Sequence, residues 1–163
     1  MRWVVSGVLA TVLVIAAQVL TVQFGWQGAV QAQPAVVLRR IEPVEIATQV
    51  YTQHPDLPLE NGYFNADGTP ATDSTLVSRL IRYHLFVKDR PANFRLDWKL
   101  TLADYLGAFQ PMDAQFYPQQ DDLQAAGGLM ASDQTAVANM SRDQRNRLAQ
   151  SLFEIFTGQS ATP

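Results

Sequence analysis

The sequence predicts an all-α fold: a small bundle of about four helices with long irregular loops, behind an N-terminal signal or anchor helix. Two observations predict this class. Apolar residues recur at i, i+3 and i+4 in several stretches, which is the spacing of a buried helix face. Helix capping signals flank these stretches. The 163-residue chain contains no Cys, so the fold depends on its core rather than on disulfides.

The first 32 residues have the layout of an export signal. Arg2 precedes the apolar run Trp3–Val22, and small residues follow at Val30-Gln31-Ala32. The sequence favours cleavage after Ala32. The alternative is an uncleaved anchor, because about 20 apolar residues are enough to span a bilayer. Residues 1–32 are therefore predicted to be a signal peptide or an N-terminal membrane anchor, and both interpretations take the rest of the chain out of the cytoplasm.

Residues 33–163 are predicted to form a single small helical domain. Cleavage after Ala32 would leave 131 residues, which suits one domain. Loss of Arg2 would change the net charge from −3 to −4. This mildly acidic balance argues against nucleic-acid binding, which needs a strongly basic face.

The first helix is predicted over PVEIATQVYTQ, residues 43–53. Pro43 suits a first helical turn, where its missing N–H costs nothing. His54-Pro55 ends the helix, because the residue before a proline is pushed out of the α region. Residues 56–72 contain two turn dipeptides and are predicted to be a loop with room for a small hairpin.

The central stretch Asp73–Gly107 holds half of the Lys and Arg residues. Its first helix is predicted to start at a cap on Thr72 or Asp73 and to end in an elbow at Pro91. The buried face of this helix is predicted to comprise Leu76, Val77, Leu80, Ile81 and Leu85.

The second half of this stretch is ambiguous. Apolar and polar residues alternate over Phe94–Leu102, which is a strand signal. On a helical wheel, however, Asp97, Thr101 and Asp104 share a polar face. The residues opposite them are Leu96, Leu100, Ala103 and Leu106. The residue types and Gly107 at the end favour a helix with this apolar face inward.

The C-terminal third is predicted to combine an irregular connection with two helices. Residues 108–128 are expected to be held down by Phe116-Tyr117, and a short helix follows Ser132. The last helix has a capping box at Ser141–Gln144, and Gly158 closes it.

Motif searches predict no catalytic constellation, no metal site and no cofactor. The two histidines lack H-x-x-x-H or H-E-x-x-H spacing, and no G-x-S-x-G is present. His84 is a pH-sensing candidate, since histidine titrates near pH 6.5. The alternative is a partly buried His84 that is hydrogen-bonded to the backbone.

The strongest candidate site is a basic and aromatic patch. Six basic residues lie between Arg79 and Lys99 against two acidic ones. The predicted patch comprises Arg79, Arg82, Tyr83, Lys88, Arg90, Arg95 and Trp98. Its expected partners are a protein with an acidic surface or anionic lipid headgroups. The alternative is a solvated helix face with internal salt bridges to the acidic C-terminal half.

The run RYHLFVKDRPANFRLDWKLTLADYLG, behind a signal-like N-terminus, resembles a family of small exported proteins from cyanobacteria. The resemblance covers roughly Ser78–Gly107 and contains no motif of known chemistry. It implies a location in the periplasm or the thylakoid lumen and transfers no functional residue.

These features favour a non-enzymatic exported domain that binds a protein partner, in an accessory or assembly role at a membrane complex. One alternative is a membrane-tethered domain that binds a lipid surface through its basic face. Another is a small hydrolase or ligand-binding protein, whose signature would be a deep pocket lined by His84, Asp97 and Asp104.

We expect the protein isolated from its native membranes to begin at Gln33, because Ala32 ends the cleavage-like V-Q-A. Intact-mass measurement with N-terminal peptide sequencing would locate the first residue. A chain that retains Trp3–Val22 would instead identify these residues as a permanent anchor.

Overall fold

The computed structural model describes residues 42–124 and 128–158, and this part of the chain is rich in α-helix with almost no strand. The all-α prediction is thus confirmed for the described residues. The predicted signal or anchor at 1–32 lies outside them. The helices of the described part are α1 (Pro43–Gln53), α2 (Leu76–Arg82), α3 (Arg95–Tyr105), α4 (Leu129–Asn139) and α5 (Arg142–Thr157).

The described helices pack around one hydrophobic core. α1 lies against α2 and α5, and α3 lies against α4 and α5. The apolar face predicted for α2 is correct at Leu76, Val77, Leu80 and Ile81, which are fully buried, whereas Leu85 is partly buried. Within the described ranges, no helix combines the length and the apolar character needed to cross a bilayer.

Local sequence signals set most of the helix ends. α1 has the predicted bounds, and Ser141 and Gln144 form the predicted capping box of α5, with N–H···O distances of 3.1 and 2.9 Å. The predicted cap of α2 is wrong. Thr75, rather than Thr72 or Asp73, caps this helix: its hydroxyl accepts from the backbone N–H of Ser78, and the Ser78 hydroxyl accepts from the backbone N–H of Thr75.

The segment at 94–102 is helical, as the sequence favoured, but α3 is turned opposite to the prediction. Trp98, Thr101 and Tyr105 face the core, whereas Leu96 is 65% exposed and Leu106 is 41% exposed. The large rings of Trp98 and Tyr105 bury more apolar surface than the leucines would.

The connection between α3 and α4 is more ordered than predicted. It contains a 3₁₀ turn (Ala114–Phe116) and a short strand, β2 (Leu123–Gln124). β2 pairs antiparallel with β1 (Phe64–Asn65), which also forms a bridge to Pro70 in a small hairpin. α4 begins at Leu129, earlier than the predicted start after Ser132, since Gly128 with φ 93° supplies the turn into the helix.

A buried ion pair connects these irregular segments to the helices. The Arg79 guanidinium donates to both carboxylate oxygens of Asp133 in α4, at 2.6 Å each, and both side chains are fully buried. It also donates to the backbone carbonyls of Glu60, at 2.7 Å, and Ser74. One side chain of α2 therefore fixes α4 and the chain on both sides of the β1 hairpin.

Arg79→Leu should lower the free energy of unfolding by about 3–5 kcal/mol, because Asp133 would be left buried without its counter-charge. The double variant Arg79→Leu/Asp133→Leu should recover a large part of this loss, since it removes both charges. Denaturant unfolding followed by circular dichroism measures both values. Arg142→Leu, at an exposed position of α5, is the matched control. A double variant that is less stable than the single one would contradict this account of the pair.

Candidate functional site

The most exposed aromatic side chains of the domain surround one open groove of about 390 Å³. We call it the aromatic groove. Its walls and floor are formed by Tyr83, Phe86, Val87, Lys88, Pro111, Asp113 and Phe116. Among the described residues, seven of the nine large hydrophobic side chains that are exposed come from positions 86–116, so this segment of the chain holds most of the exposed apolar surface from which an interaction site could be built.

A π-helical turn builds the first wall of the aromatic groove. α2 continues into Tyr83–Val87, where the Lys88 N–H donates to the Tyr83 carbonyl at 2.9 Å. This hydrogen bond spans five residues instead of four, so the register of the helix shifts by one. Tyr83 stays inside, while Phe86 is turned outward and is 66% exposed.

The segment after α3 builds the opposite wall. Phe116, at the end of the 3₁₀ turn, is 63% exposed, whereas its neighbour Tyr117 is buried. Lys88 connects the two walls, because its Nζ donates to the Pro111 carbonyl at 3.5 Å and lies 5.5 Å from the centre of the Tyr83 ring. The groove thus offers two exposed phenylalanines, the cation of Lys88 and the carboxylate of Asp113.

A tyrosine cluster supports the floor. The rings of Tyr83 and Tyr105 meet edge to face at 5.6 Å, and the hydroxyls of Tyr105 and Tyr117 are 3.0 Å apart. Burial raises the pKa of Tyr117 well above its ordinary value, so its hydroxyl stays protonated and donates to Asp133. The floor of the groove is therefore tied to the Arg79–Asp133 ion pair.

A second polar network lies beneath the elbow at Pro91. Arg90 forms an ion pair of 2.7 Å with the buried carboxylate of Asp104 and donates to the Thr101 hydroxyl at 2.8 Å. The Asp104 carboxylate also accepts from the backbone N–H of Gln110 at 3.0 Å. These contacts explain why the polar side of α3 can be buried.

His84 belongs to this network and is fully buried. Its ring stacks on Trp98 at 3.6 Å between centres, and Nδ1 lies 2.8 Å from the Thr101 hydroxyl. Nε2 faces the Pro91 carbonyl at 3.4 Å, so Nε2 carries the proton. Nδ1 therefore accepts a hydrogen bond from the Thr101 hydroxyl. Burial lowers the pKa of His84 to about 4, well below the near-neutral range on which the pH-sensing hypothesis depended.

The predicted basic and aromatic patch is only partly a surface. Arg79, Tyr83 and Trp98 are buried, so the expectation that they contact a partner from the surface is wrong. They are inside because each has internal partners: Arg79 pairs with Asp133, Tyr83 lies in the tyrosine cluster, and the Trp98 indole donates to the Ala92 carbonyl at 2.9 Å.

The other members of the patch remain at or near the surface. Arg82, Lys88 and Arg90 are half-buried, and Arg95 is exposed. Arg90 is neutralised by Asp104, and Arg82 makes one long hydrogen bond of 3.4 Å to Gln119. A binding role for these four residues stays a prediction.

The trio expected for a hydrolase does not line a deep pocket. His84 and Asp104 are buried with their polar atoms engaged, and Asp97 lies half-buried in the first turn of α3. Within the described ranges, no group of three His, Asp or Glu residues has the arrangement of a metal site.

His54 and Ser151 resemble a catalytic pair, with Nε2 and Oγ 2.7 Å apart. The other ring nitrogen, Nδ1, faces Nη1 of Arg147 at 3.2 Å. Arginine only donates, so Nδ1 is the acceptor and Nε2 carries the proton. The imidazole therefore donates to Ser151 and does not act as its base, and the contact joins the end of α1 to α5.

Sequence reasoning missed the second wall of the aromatic groove. Phe116 is predicted from the sequence to hold the connection between α3 and α4 against the core. No sequence motif pointed to Pro111 or Asp113 as part of a binding site. The available sequence signal was the density of phenylalanine, at Phe86, Phe94, Phe109 and Phe116.

Comparisons of the chain with protein-family models, with curated proteins and with solved structures found no match.

We expect the free energy of unfolding to fall as the pH drops from about 6.5 to about 4. In this pH window the unfolded chain binds a proton at His84 that the folded chain does not. The free energy of unfolding therefore falls by roughly 3 kcal/mol between the two pH values. Urea unfolding at several pH values measures the slope. His84→Gln should flatten it, whereas His54→Gln, which leaves His84 in place, should not. An NMR titration of His84 centred near pH 6.5 would contradict the burial argument.

Proposed function

We propose that this chain is an exported, non-enzymatic helical domain that binds a protein partner through the aromatic groove, in an accessory or assembly role at a membrane complex. The observation that carries the proposal is the pair of exposed phenylalanines, Phe86 and Phe116, which line the same groove above the buried tyrosine cluster. Large aromatic side chains exposed together are costly in a soluble domain unless a partner covers them.

The composition of the groove suits a protein partner. Aromatic residues are enriched at the energetic centres of protein interfaces, and an anchoring apolar side chain fits a cavity of this size. The floor is held by the tyrosine cluster, so binding would order few additional side chains and lose little entropy.

Charge favours an acidic partner. Two arginines of the basic stretch, Arg79 and Arg90, are neutralised internally, whereas Lys88, Arg95 and Lys99 have no carboxylate partner within the described ranges. Lys88 lies in the groove itself, and a carboxylate beside the anchoring side chain would reach it. Asp113, on the rim, disfavours a second carboxylate on that side.

The export segment supports the location. The layout of residues 1–32 supports a location outside the cytoplasm, in the periplasm or the thylakoid lumen, where a membrane complex would present such a partner.

Replacement of Phe116 by a photo-crosslinking phenylalanine analogue should capture the partner in native membranes, and mass spectrometry would identify it. The same analogue at Phe64, which is exposed but outside the groove, is the matched control. Capture of the same protein at both positions would count against the groove.

With the purified partner, Phe86→Asp should weaken binding by at least about tenfold, because it places a charge where an apolar anchor is buried. Phe64→Asp should leave the dissociation constant unchanged. Lys88→Glu should also weaken binding and reduce its dependence on salt, as measured by titration calorimetry. Equal effects of Phe86→Asp and Phe64→Asp would overturn the proposal.

A further inference from the structure

We infer that the outer face of α3 lies against an anionic lipid bilayer. The outer face comprises Leu96, Leu100, Ala103 and Leu106, with Arg95 and Lys99 along one edge. The inference rests on the proposed export of the chain, and it is independent of what the aromatic groove binds.

The outer face is an apolar stripe whose ends are exposed and whose middle residues, Leu100 and Ala103, are half-buried. Its four apolar residues are spaced by four, three and three, so they lie on one side of α3, which is about 16 Å long, and of its C-cap Leu106. Leu96 at one end is 65% exposed, and Leu106 at the other is 41% exposed. The inner side, with Trp98 and Tyr105, is already occupied by the core.

The charges beside the stripe fit anionic headgroups. Arg95 and Lys99 are four residues apart on the same edge, and neither has a hydrogen bond or an ion pair within the described ranges. Long basic side chains beside an apolar stripe let the stripe enter a membrane interface while their charges stay at the headgroups. On the other edge Asp104 is paired with Arg90, and Asp97 is the one acidic group of α3 without a basic partner in the described part.

The basic edge of the outer face favours a bilayer over a partner protein. The outer face belongs to a single helix, and none of its residues lines the aromatic groove, so a partner seated in the groove would not cover it. An amphipathic helix with basic side chains along one edge of its apolar face can lie in the plane of a membrane interface.

The length of the preceding chain makes this contact attainable. Twenty residues, 23–42, separate the apolar run Trp3–Val22 from α1, and a chain of that length spans at most about 70 Å. In a chain that keeps Trp3–Val22, the alternative to the expected cleavage after Ala32, the anchor would hold the domain near the bilayer, so weak contacts of α3 would suffice.

The absence of Cys permits a direct test with the full chain in vesicles. Ala103→Cys carries an environment-sensitive fluorophore on the outer face, and Thr52→Cys carries it at an exposed position of α1. In vesicles of phosphatidylcholine with phosphatidylglycerol, the label at 103 should shift to the blue, and its quenching by an aqueous quencher should fall at least about twofold. The label at 52 should stay accessible.

Charge variants distinguish headgroup attraction from non-specific contact. Arg95→Glu/Lys99→Glu should restore quenching at 103, whereas Arg142→Glu, on α5, should not. Phe86→Asp should leave the protection intact, so failure of the groove proposal would not mimic failure of this one. Full quenching at 103 in anionic vesicles, or equal protection in phosphatidylcholine alone, would overturn the inference. Protection that appears only when a purified protein is added would assign the face to that protein.

Discussion

The ion pair between Arg79 and Asp133 is the contact on which the rest of the structure depends. A buried pair of charges is tolerable only when its geometry is good and its remaining donors are satisfied. Here the guanidinium donates two hydrogen bonds to the Asp133 carboxylate. It also donates to the backbone carbonyls of Glu60 and Ser74. No buried side-chain nitrogen or oxygen of the described residues lacks a partner. The chain on both sides of the β1 hairpin is thus held in place by hydrogen bonds to a buried side chain rather than by a long helix or strand.

The aromatic groove is a consequence of this arrangement. Tyr117 donates to Asp133 and is held inside, whereas Phe116, the last residue of the 3₁₀ turn before it, is exposed. On the other wall, the π-helical turn keeps Tyr83 in the core and places Phe86 at the surface. Both exposed rings are thus fixed by their buried neighbours. A pair of aromatic side chains held in this way is preorganised for a partner.

The basic residues between Arg79 and Lys99 divide into two groups in the structure, those paired with buried carboxylates and those at or near the surface. Arg79 and Arg90 are neutralised by Asp133 and Asp104, which lie 54 and 14 residues away in sequence. The stretch was expected either to form internal salt bridges or to bind a partner, and it does the first with these two residues. Lys88, Arg95 and Lys99 are left at or near the surface, in a part of the chain that also carries the exposed phenylalanines and leucines. The domain therefore has two apolar surfaces with basic residues, the aromatic groove and the outer face of α3.

The sequence by itself determined the helical class of the described domain and several helix ends, because a capping box, a proline or a glycine acts within one turn of the residue that carries it. α1 and the start of α5 follow from such local signals, as does the buried face of α2. Only the tertiary structure decided which side of α3 faces the core, since burial of Thr101 and Asp104 requires Arg90 and His84 from another segment. It also decided that Arg79 is a core residue and that Phe116 is exposed. Contacts between residues that are distant in sequence determine which of these side chains are buried. A periodic pattern along one segment contains no information about such contacts.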